Sequence, residues 1–506
     1  MISSEVESLA RTGGLGDVVE ALSLALAEIG LEVLVVTPRY GVTRRPARAT
    51  RWPGLVEARW GWGPHDVRAL RVLELEPARF PSGGQRRVCL LEDDALYGRA
   101  GIYGDVHGPF GDNALRFAVM SRGGLEVAAR AWSGGGQTVG PDIIHAHDWH
   151  ATFAVLYARL VMGPAWARVP SVFTVHNLQF QGVLDEGSLD RLHLPRDAFR
   201  PEHLWHGGQV NLMKGATAYA DRITTVSPTY AREILGPGAG FGLDLHLRAH
   251  SQKLVGILNG IDLARWDPRT DPTIAARYDE TTAKAQRNVD KAALMKELDL
   301  DPSRMRDGRR DGPLFGVVAR LSWQKGIDML LPLIPDLVNR GARFAIVGQG
   351  DRHLEEQLMH LAASHPRRVA VRIAFDPALS RRVYAGSDFF VIPSRFEPCG
   401  LTQMYAMRYG AIPVVTDVGG LHDTVEPIRT SGAASSQRAE SGTGIIASDP
   451  AIDPLHEACL AAIRLYDDAP ALERAVVRAM TRSIDFGWGA SAEAYRRLYA
   501  ELARQE

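Results

Sequence analysis

The chain has 506 residues, of which 45% are hydrophobic and 23% are charged, and its formal net charge is -1. This length exceeds what one hydrophobic core usually supports, so we expect two domains. The near-neutral charge gives no indication of a nucleic-acid or membrane partner. No apolar run has the length of a transmembrane helix and no targeting pattern is seen, which predicts a cytoplasmic protein. The cysteines are too few and too scattered for a disulfide framework or a thiolate zinc site: Cys89, Cys399 and Cys459.

The predicted elements are short apolar runs, bounded by turn residues and separated by stretches of helical periodicity. This alternation is typical of parallel strands joined by helices, and it predicts an α/β fold of the doubly wound kind. The predicted strands of the first half are Leu31–Thr37, Val88–Leu91, Ile143–His147, Ser171–His176 and Arg222–Val226. Those of the second half are Lys253–Leu258, Leu314–Ala319, Arg343–Val347, Val369–Ala374, Phe389–Pro393 and Ile412–Thr416.

The Gly- and Pro-containing stretch Gly236–Gly242 is the predicted approach to a domain junction. We expect a Rossmann-like domain over residues 1–245, a second one over residues 246–485, and a C-terminal helix within residues 486–506 that packs back on the first domain. Open α/β sheets bind ligands beyond the carboxyl ends of their strands. The residues that follow the predicted strands are therefore the candidates for chemistry.

A glycine-rich turn precedes the first helical pattern, in the segment RTGGLGD of residues 11–17. Glycines let backbone N–H groups approach an anion closely, and a helix N-terminus adds a partial positive charge. The pattern predicts a phosphate or sugar site. The alternative is a tight connection that binds nothing.

Two histidine-containing segments follow predicted strands: HAHDWH at residues 145–150 and HNLQFQG at residues 176–182. The first segment is interpreted as a polar floor for sugar binding or as a set of structural histidines. A metal site is a third alternative, but side chains along a strand alternate between its two faces, so few of these residues could reach one ion. His176 leaves its strand beside an amide pair. There it donates hydrogen bonds to sugar hydroxyls, stabilises developing positive charge through its backbone carbonyl, or is a structural histidine.

In the second half, Arg320 and Lys325 occupy one loop between a predicted strand and a helix. Both cations can clamp a pyrophosphate without a metal, or they are solvated surface charges. Glu397 enters a turn stiffened by Pro398, where a fixed carboxylate suits two sugar hydroxyls. We interpret Cys399 as a small packing residue rather than a nucleophile.

Together and in this order, these segments resemble the bacterial glycogen synthases and plant starch synthases, a family with the two-Rossmann architecture called GT-B. The motifs that carry the resemblance are RTGGLGDV, HAHDWHA, FTVHNLQFQG, VSPTYA, ILNGID, RLSWQKG, PSRFEPCGLTQ and VTDVGGLHDTV. The resemblance implies two doubly wound domains that face each other across a cleft. It also implies retaining transfer of glucose from ADP-glucose to the non-reducing end of an α-1,4-glucan such as glycogen, without a cofactor or metal.

The resemblance further implies roles for individual residues. His176 contacts the transferred glucose, Arg320 and Lys325 bind the phosphates, Glu397 binds glucose hydroxyls, and Asp148 lies near the acceptor. In addition, the residues that bind ADP-glucose are Arg11, Gly13, Gly14, Asp17, Asn211, Phe375, Cys399, Gly400, Leu401 and Thr402.

The expected mechanism depends on charge. ADP is already a good leaving group, so a fixed cationic clamp matters more than general-acid catalysis. Because the matched motifs contain no obvious carboxylate nucleophile, we expect a front-face displacement. The alternatives are a GT-B transferase that uses UDP-glucose, a glucan phosphorylase with lysine-bound pyridoxal phosphate, and a catalytically silent glucan-binding homologue.

The sequence departs from the family pattern at two places. Arg11 occupies the position of a lysine, which exchanges a compact ammonium for a planar fork. Only Met1–Ser4 precede the stretch Glu5–Ala10, where the family has a full strand. We therefore expect a shortened first strand in the N-terminal sheet and a true start that lies upstream.

Overall fold

The computed structural model describes residues 1–44, 48–134, 137–138, 140–301, 305–306, 309–310, 312–428 and 441–504. The chain divides into two compact units. Unit 1 comprises Met1–Asn259 and Trp488–Glu506, and unit 2 comprises Gly260–Gly487. In the part of the chain that is described, no helix combines the length and the apolar character needed to cross a membrane.

The strands of unit 1 are β1 (Glu32–Pro38), β2 (Ala49–Arg51), β3 (Val56–Arg59), β4 (Val67–Leu75), β5 (Ala78–Arg79), β6 (Gln85–Glu92), β7 (Gly104–Asp105), β8 (Gly108–Pro109), β9 (Ser133–Gly134), β10 (Gln137–Thr138), β11 (Ile144–His147), β12 (Ser171–Val175), β13 (Val183–Leu184), β14 (Trp205–His206), β15 (Gln209–Asn211), β16 (Arg222–Thr225) and β17 (Leu254–Gly256). The longer parallel strands are almost wholly buried, because helices cover both faces of such a sheet.

The parallel strands of unit 1 are arranged on both sides of its N-terminal segment. Ile2 forms parallel bridges with Val36 of β1 and Ala146 of β11, so this segment lies between those two strands. On one side β1 pairs with β6, and on the other side β11, β12, β16 and β17 pair in that order. The connections thus change direction between the N-terminal segment and β11. Ligands of doubly wound sheets bind at such a switch point.

The helices before the end of unit 1 are α1 (Gly14–Glu28), α2 (Asp94–Tyr97), α3 (Asn113–Ala131), α4 (Thr152–Leu160), α5 (Pro164–Arg168), α6 (Ser188–Arg191), α7 (Leu212–Tyr219), α8 (Pro228–Glu233) and α9 (Asp244–Ala249). The helix α1 buries Val18, Leu22 and Leu26, which share one face because they are spaced four residues apart. This face packs in one core cluster with Val35 of β1.

Unit 2 contains the strands β18 (Met305–Arg306), β19 (Arg309–Arg310), β20 (Leu314–Val318), β21 (Arg343–Gly348), β22 (Val369–Ile373), β23 (Phe389–Ile392), β24 (Ile412–Thr416) and β25 (Ile445–Ala447). Six of them form a parallel sheet in the order β22-β21-β20-β23-β24-β25. The switch point of this sheet lies between β20 and β23. The loops that follow these two strands therefore meet beyond their carboxyl ends.

The helices of unit 2 are α10 (Ala283–Glu297), α11 (Ile327–Leu330), α12 (Ile334–Asn339), α13 (Arg352–Ser364), α14 (Pro377–Gly386), α15 (Thr402–Arg408), α16 (Gly419–Thr424), α17 (Ile452–Asp467) and α18 (Ala469–Ser483). Several begin at a polar cap: Asp376, for example, accepts a hydrogen bond from the backbone of Leu379 at the start of α14.

The last helix, α19 (Trp488–Ala503), returns to unit 1. Its buried residues Tyr495, Leu498 and Leu502 belong to the same core cluster as Val18 and Leu22 of α1. The strand predicted at residues 253–258 also lies in unit 1, because β17 pairs in parallel with β16. The division between the units consequently falls after Asn259, some way beyond the glycine-rich stretch that suggested a junction.

Candidate active site

The glycine-rich turn of unit 1 is held by a carboxylate that the motif did not include. Glu5 accepts hydrogen bonds from the backbone N–H of Thr12 at 2.6 Å and of Gly13 at 3.3 Å, and from the Thr12 hydroxyl at 2.9 Å. The hydroxyl of Tyr103 donates to the same carboxylate at 2.6 Å. The N–H of Gly13 is therefore engaged by Glu5, and an anion at this turn would meet the amides that begin at Gly14.

The predicted donor-binding residues Arg11 and Asp17 contact each other. The guanidinium of Arg11 lies 2.7 Å from Asp17 and 3.4 Å from Glu7. A Cβ atom built on Gly13 or Gly14 would meet no atom within 4 Å, so the turn leaves open space beside these glycines. The structure thus brings four of the predicted residues together at the start of α1.

At the carboxyl end of β12, the backbone after the strand is held by Asp148. One carboxylate oxygen of Asp148 accepts hydrogen bonds from the N–H groups of His176 at 2.7 Å and Asn177 at 3.4 Å. Asp148 itself has a positive φ of 57°, a strained conformation that is maintained by these bonds. Burial raises the pKa of Asp148 to about 7, although the two backbone donors oppose this shift.

The histidines of this region form an uncharged cluster in which His145 and His147 are buried and His176 is half-buried. Nδ1 of His147 lies 3.0 Å from Nε2 of His176. The ring of His145 is 4.0 Å from that of His147, and its nitrogens contact Tyr499 and Thr174. Burial lowers the pKa of His176 to about 3 and also depresses the pKa values of His145 and His147. Among the described residues, no three His, Cys, Asp or Glu side chains are arranged to hold a metal ion.

Asn211 has a structural set of contacts in the same unit. Its side-chain oxygen accepts a hydrogen bond from the N–H of Lys214 and so caps α7. Its amide donates to Gln181 at 2.6 Å, and Gln181 belongs to the segment that begins at His176. Both ends of the Asn211 side chain are therefore occupied within the protein.

In unit 2, the loops after β20 and β23 are joined at the switch point. Lys325 lies 2.5 Å from a carboxylate oxygen of Glu397, to which the Ser394 hydroxyl also donates at 2.8 Å. The N–H of Arg395 donates to the carbonyl oxygen of Gln324 at 2.9 Å. A charged pair is thus held at the place where a doubly wound sheet binds ligands.

Gly326 is what allows the two loops to approach so closely. Its φ is +64°, in the left-handed region, and a Cβ atom there would collide with the carbonyl oxygen of Pro393. Only glycine fits a position with both constraints. The glycine after Lys325 therefore sets the distance between the loops, a role that the motif alone did not reveal.

Arg320 differs from Lys325 in its surroundings. Its side chain is exposed, and within the described ranges no ion pair or hydrogen bond holds it. Phe375, which follows β22, is 69% exposed. Cys399 is buried, consistent with packing, while Gly400, Leu401 and Thr402 are partly exposed where α15 begins. The structure therefore brings Lys325 and Glu397 into contact and leaves Arg320 accessible.

Residues outside the predicted set also contact predicted site residues, among them Glu5, His147 and Ser394. A sequence signal existed for His147, because residues two apart on a strand share a face, so His145 and His147 had to lie together. Glu5 and Ser394 carried a weaker signal, since polar residues that are buried next to a binding loop look like ordinary turn residues in a sequence.

The comparisons with known proteins cover the whole chain. The starch synthase catalytic domain model matches residues 1–249, and the model of glycosyl transferases group 1 matches residues 312–447. A glycogen synthase from Granulibacter bethesdensis is 40% identical over 99% of this chain and 98% of that protein. A glycogen synthase from Anaeromyxobacter dehalogenans is 41% identical, with 99% of each chain covered.

Solved structures agree with these relatives. The catalytic domain of starch synthase IV from Arabidopsis thaliana, bound to ADP and acarbose, is 30% identical with a TM-score of 0.85, and the match covers 99% of this chain and 98% of that one. Sucrose-phosphate synthase from Thermosynechococcus elongatus, 19% identical with a TM-score of 0.57 over 100% of this chain and 98% of that one, shares the fold alone. The predicted α/β GT-B fold is confirmed, and this chain belongs to the starch and glycogen synthase family of glycosyltransferases.

Proposed function

We propose that the protein transfers glucose from ADP-glucose to the non-reducing end of an α-1,4-glucan, with retention at the anomeric carbon and release of ADP. The observation that carries the proposal is the contact of Lys325 with Glu397 beside the accessible Arg320, at the switch point of unit 2. The related glycogen synthases and the starch synthase bound to ADP support the choice of donor and acceptor.

The chemistry follows from where charge develops. The bond from the anomeric carbon to the ADP oxygen breaks as the bond to the acceptor hydroxyl forms, and the proton of that hydroxyl passes to the departing phosphate. Negative charge grows on the phosphate, where Arg320 and Lys325 would stabilise it. Removing one such donor typically costs about 100-fold to 1000-fold in rate.

Glu397 would grip hydroxyls of the transferred glucose. Its carboxylate is fixed by Lys325 and Ser394, so it loses little freedom when a sugar binds. His176 would contact a sugar hydroxyl as a neutral ring, because its depressed pKa keeps it uncharged at neutral pH. The matched motifs contain no obvious carboxylate nucleophile, which favours a front-face displacement over a covalent glucosyl-enzyme.

The decisive assay measures ADP release with ADP-glucose, with and without added glycogen. We expect release that depends on glycogen and a lower rate with UDP-glucose. A preference for UDP-glucose would favour the related transferase, and absence of glycogen-dependent release from either donor would favour a silent glucan-binding homologue. Lys325→Gln should abolish most of the activity, while Lys296→Gln, at an exposed position on α10, should not.

Two expectations from the sequence complete the proposal. A cytoplasmic location fits the synthesis of a storage glucan from a nucleotide sugar, and fractionation of cells followed by detection of the protein checks it. The roles assigned to Arg11, Gly13, Gly14, Asp17, Asn211 and Phe375 in binding ADP-glucose remain proposals. Single alanine variants that raise the KM for ADP-glucose without loss of folding would support them.

A further inference from the structure

The ring of His176 has a fixed partner that none of the motif roles includes. We propose that His147 is a positioning residue that fixes the proton of His176 on Nδ1, so that His176 presents a hydrogen-bond donor to a sugar hydroxyl. The identity of the ligand rests on the proposed function. The arrangement of the two rings rests on unit 1 alone.

His176 is held at two points. Asp148 accepts a hydrogen bond from its backbone N–H at 2.7 Å, and Nδ1 of His147 lies 3.0 Å from Nε2 of its ring. The first contact fixes the position of the backbone after β12, and the second fixes the rotation of the ring. Nδ1 of His176 is then the nitrogen that remains for a ligand, since within the described residues it has no partner.

Only one proton can lie between the two facing nitrogens. Both rings are neutral at neutral pH, because burial lowers the pKa of His176 to about 3 and depresses that of His147. A neutral imidazole has one donor and one acceptor nitrogen. Either His147 donates from Nδ1, which leaves the proton of His176 on its own Nδ1, or His176 donates from Nε2, which places the proton of His147 on Nε2.

The surroundings of His147 decide between these arrangements. Nε2 of His147 is buried without a hydrogen-bond partner. The second arrangement would leave a buried N–H group without a partner at Nε2 of His147, whereas the first leaves an acceptor nitrogen at that position. Among backbone groups, a buried N–H without a partner is rarer than an under-satisfied acceptor, and we apply the same preference to the imidazole. His147 therefore donates to His176.

The adjacent histidine cannot relieve this constraint. His145 packs against His147, but its Nδ1 contacts the Tyr499 hydroxyl at 2.7 Å and its Nε2 contacts the Thr174 hydroxyl at 2.6 Å. The Thr174 hydroxyl also contacts that of Thr224 at 2.6 Å. Both nitrogens of His145 are thus engaged, and the His147 pair with His176 is separate from this chain of hydrogen bonds.

The protonation state can be measured without turnover. In the full-length protein labelled with 13C- and 15N-histidine, the His176 signals are those lost in His176→Gln, and their nitrogen shifts report which nitrogen carries the proton. We expect Nδ1–H in the unaltered protein and a shift of the proton toward Nε2 in His147→Phe. Protonation of His176 on Nε2 in the unaltered protein would overturn the proposal.

His150 offers a matched control in the same motif. It is buried and stacks on Tyr103, and no hydrogen bond joins it to His176 within the described residues. His150→Phe should leave the tautomer of His176 unchanged. A change in His150→Phe as large as that in His147→Phe would mean that general disturbance of the cluster, and not the hydrogen bond, sets the tautomer.

Kinetics provides the second readout. Loss of one oriented hydrogen bond corresponds to about a tenfold decrease in kcat/KM for glucosyl transfer in His147→Phe. His147→Asn, whose amide can donate from the same position as Nδ1, should keep the rate within about threefold of the original. Equal losses in both variants, with both proteins folded, would contradict the proposal.

The two readouts separate the two proposals. If His176 carries its proton on Nδ1 but no glycogen-dependent ADP release is found, the proposed function fails and the positioning role remains. If transfer occurs and the proton lies on Nε2, the positioning role fails alone. Where His147→Phe does not fold, the spectrum of the unaltered protein and the His147→Asn rate still decide the question.

Discussion

The candidate residues of the two units lie at corresponding places, the switch points of two parallel sheets, but they differ in electrical character. In unit 1, the histidines at the ends of β11 and β12 are buried or half-buried and uncharged, and His147 and His176 are held by hydrogen bonds to each other and to Asp148. In unit 2, Lys325 and Glu397 form an ion pair in a partly open loop, and Arg320 is exposed.

This difference suits the two sheets, which share one kind of fold, to two different kinds of ligand group. Neutral groups in a dry environment can orient hydroxyl groups without paying to desolvate a charge. Accessible cations are suited to a ligand that brings its own negative charge, because they form charge-assisted hydrogen bonds with it. Under the proposed function, the same architecture would serve sugar positioning in unit 1 and diphosphate binding in unit 2.

The largest effect should come from the charge of unit 2. Lys325→Gln removes the cation, and among the described residues it leaves Ser394 as the side-chain partner of Glu397. We expect kcat to fall by about 100-fold to 1000-fold, because the departing phosphate loses a fixed positive charge. Initial rates of ADP release, with Lys296→Gln as the control, measure the loss. A decrease of less than about threefold would mean that the ion pair with Glu397 is only structural.

The next largest effect is on the free energy of unfolding, and it distinguishes the loop of unit 2 that contains Gly326 from the turn of unit 1 that contains Gly13. Gly326→Ala introduces a Cβ atom into the carbonyl oxygen of Pro393 at a positive φ. We expect a loss of about 2–3 kcal/mol in the free energy of unfolding, because backbone atoms cannot easily move away. Denaturant unfolding measures it. Gly13→Ala is the control in unit 1: it should leave stability nearly unchanged, since its Cβ would meet no atom within 4 Å.

Much of this fold was predictable because buried parallel strands appear in a sequence as apolar runs. The predicted strands at residues 222–226 and 389–393 correspond to β16 and β23 within one residue. The long strand β4 was missed. It is antiparallel to β6, and its apolar residues are interrupted at every third position by the charged residues Arg68, Arg71 and Glu74, so it lacks the continuous apolar pattern.

The candidate site was predictable in its motifs but not in its contacts. Lys325 and Glu397 are 72 positions apart, and their contact follows from the adjacency of β20 and β23 and from the close approach at Gly326. Nothing in either motif states that adjacency. Likewise, Glu5 holds the glycine-rich turn through a local fold of the chain before α1, which apolar periodicity does not describe.

A third prediction tests whether burial raises the pKa of Asp148 in unit 1. Burial raises the folded-state pKa of Asp148 to about 7, from an ordinary value of 3.8. An acid whose pKa is raised on folding contributes stability below its unfolded pKa, and this contribution is lost as the pH rises through the folded pKa. Asp148→Asn removes the titration while keeping an oxygen that accepts from His176.

The measurement is the difference in free energy of unfolding between the unaltered protein and Asp148→Asn. Between about pH 5 and pH 7, this difference should move against the unaltered protein by about 1–2 kcal/mol, and above that range it should level off. The buried histidines contribute to the free energy of unfolding with the opposite pH dependence, because their contribution is lost on acidification. This contribution is common to both proteins and cancels in the difference. A difference that is flat across this range would contradict the raised pKa of Asp148.

The smallest effect is expected at Arg11, the cation of the glycine-rich turn in unit 1. Its guanidinium contacts Asp17 and Glu7, so part of its charge is already compensated. Arg11→Lys should keep one of these contacts and change the KM for ADP-glucose by no more than about threefold, with kcat unchanged. Initial rates over a range of ADP-glucose concentrations measure both constants. If the lysine variant instead loses as much rate as Lys325→Gln, then unit 1 also supplies an essential charge, and the division of tasks between the two units is wrong.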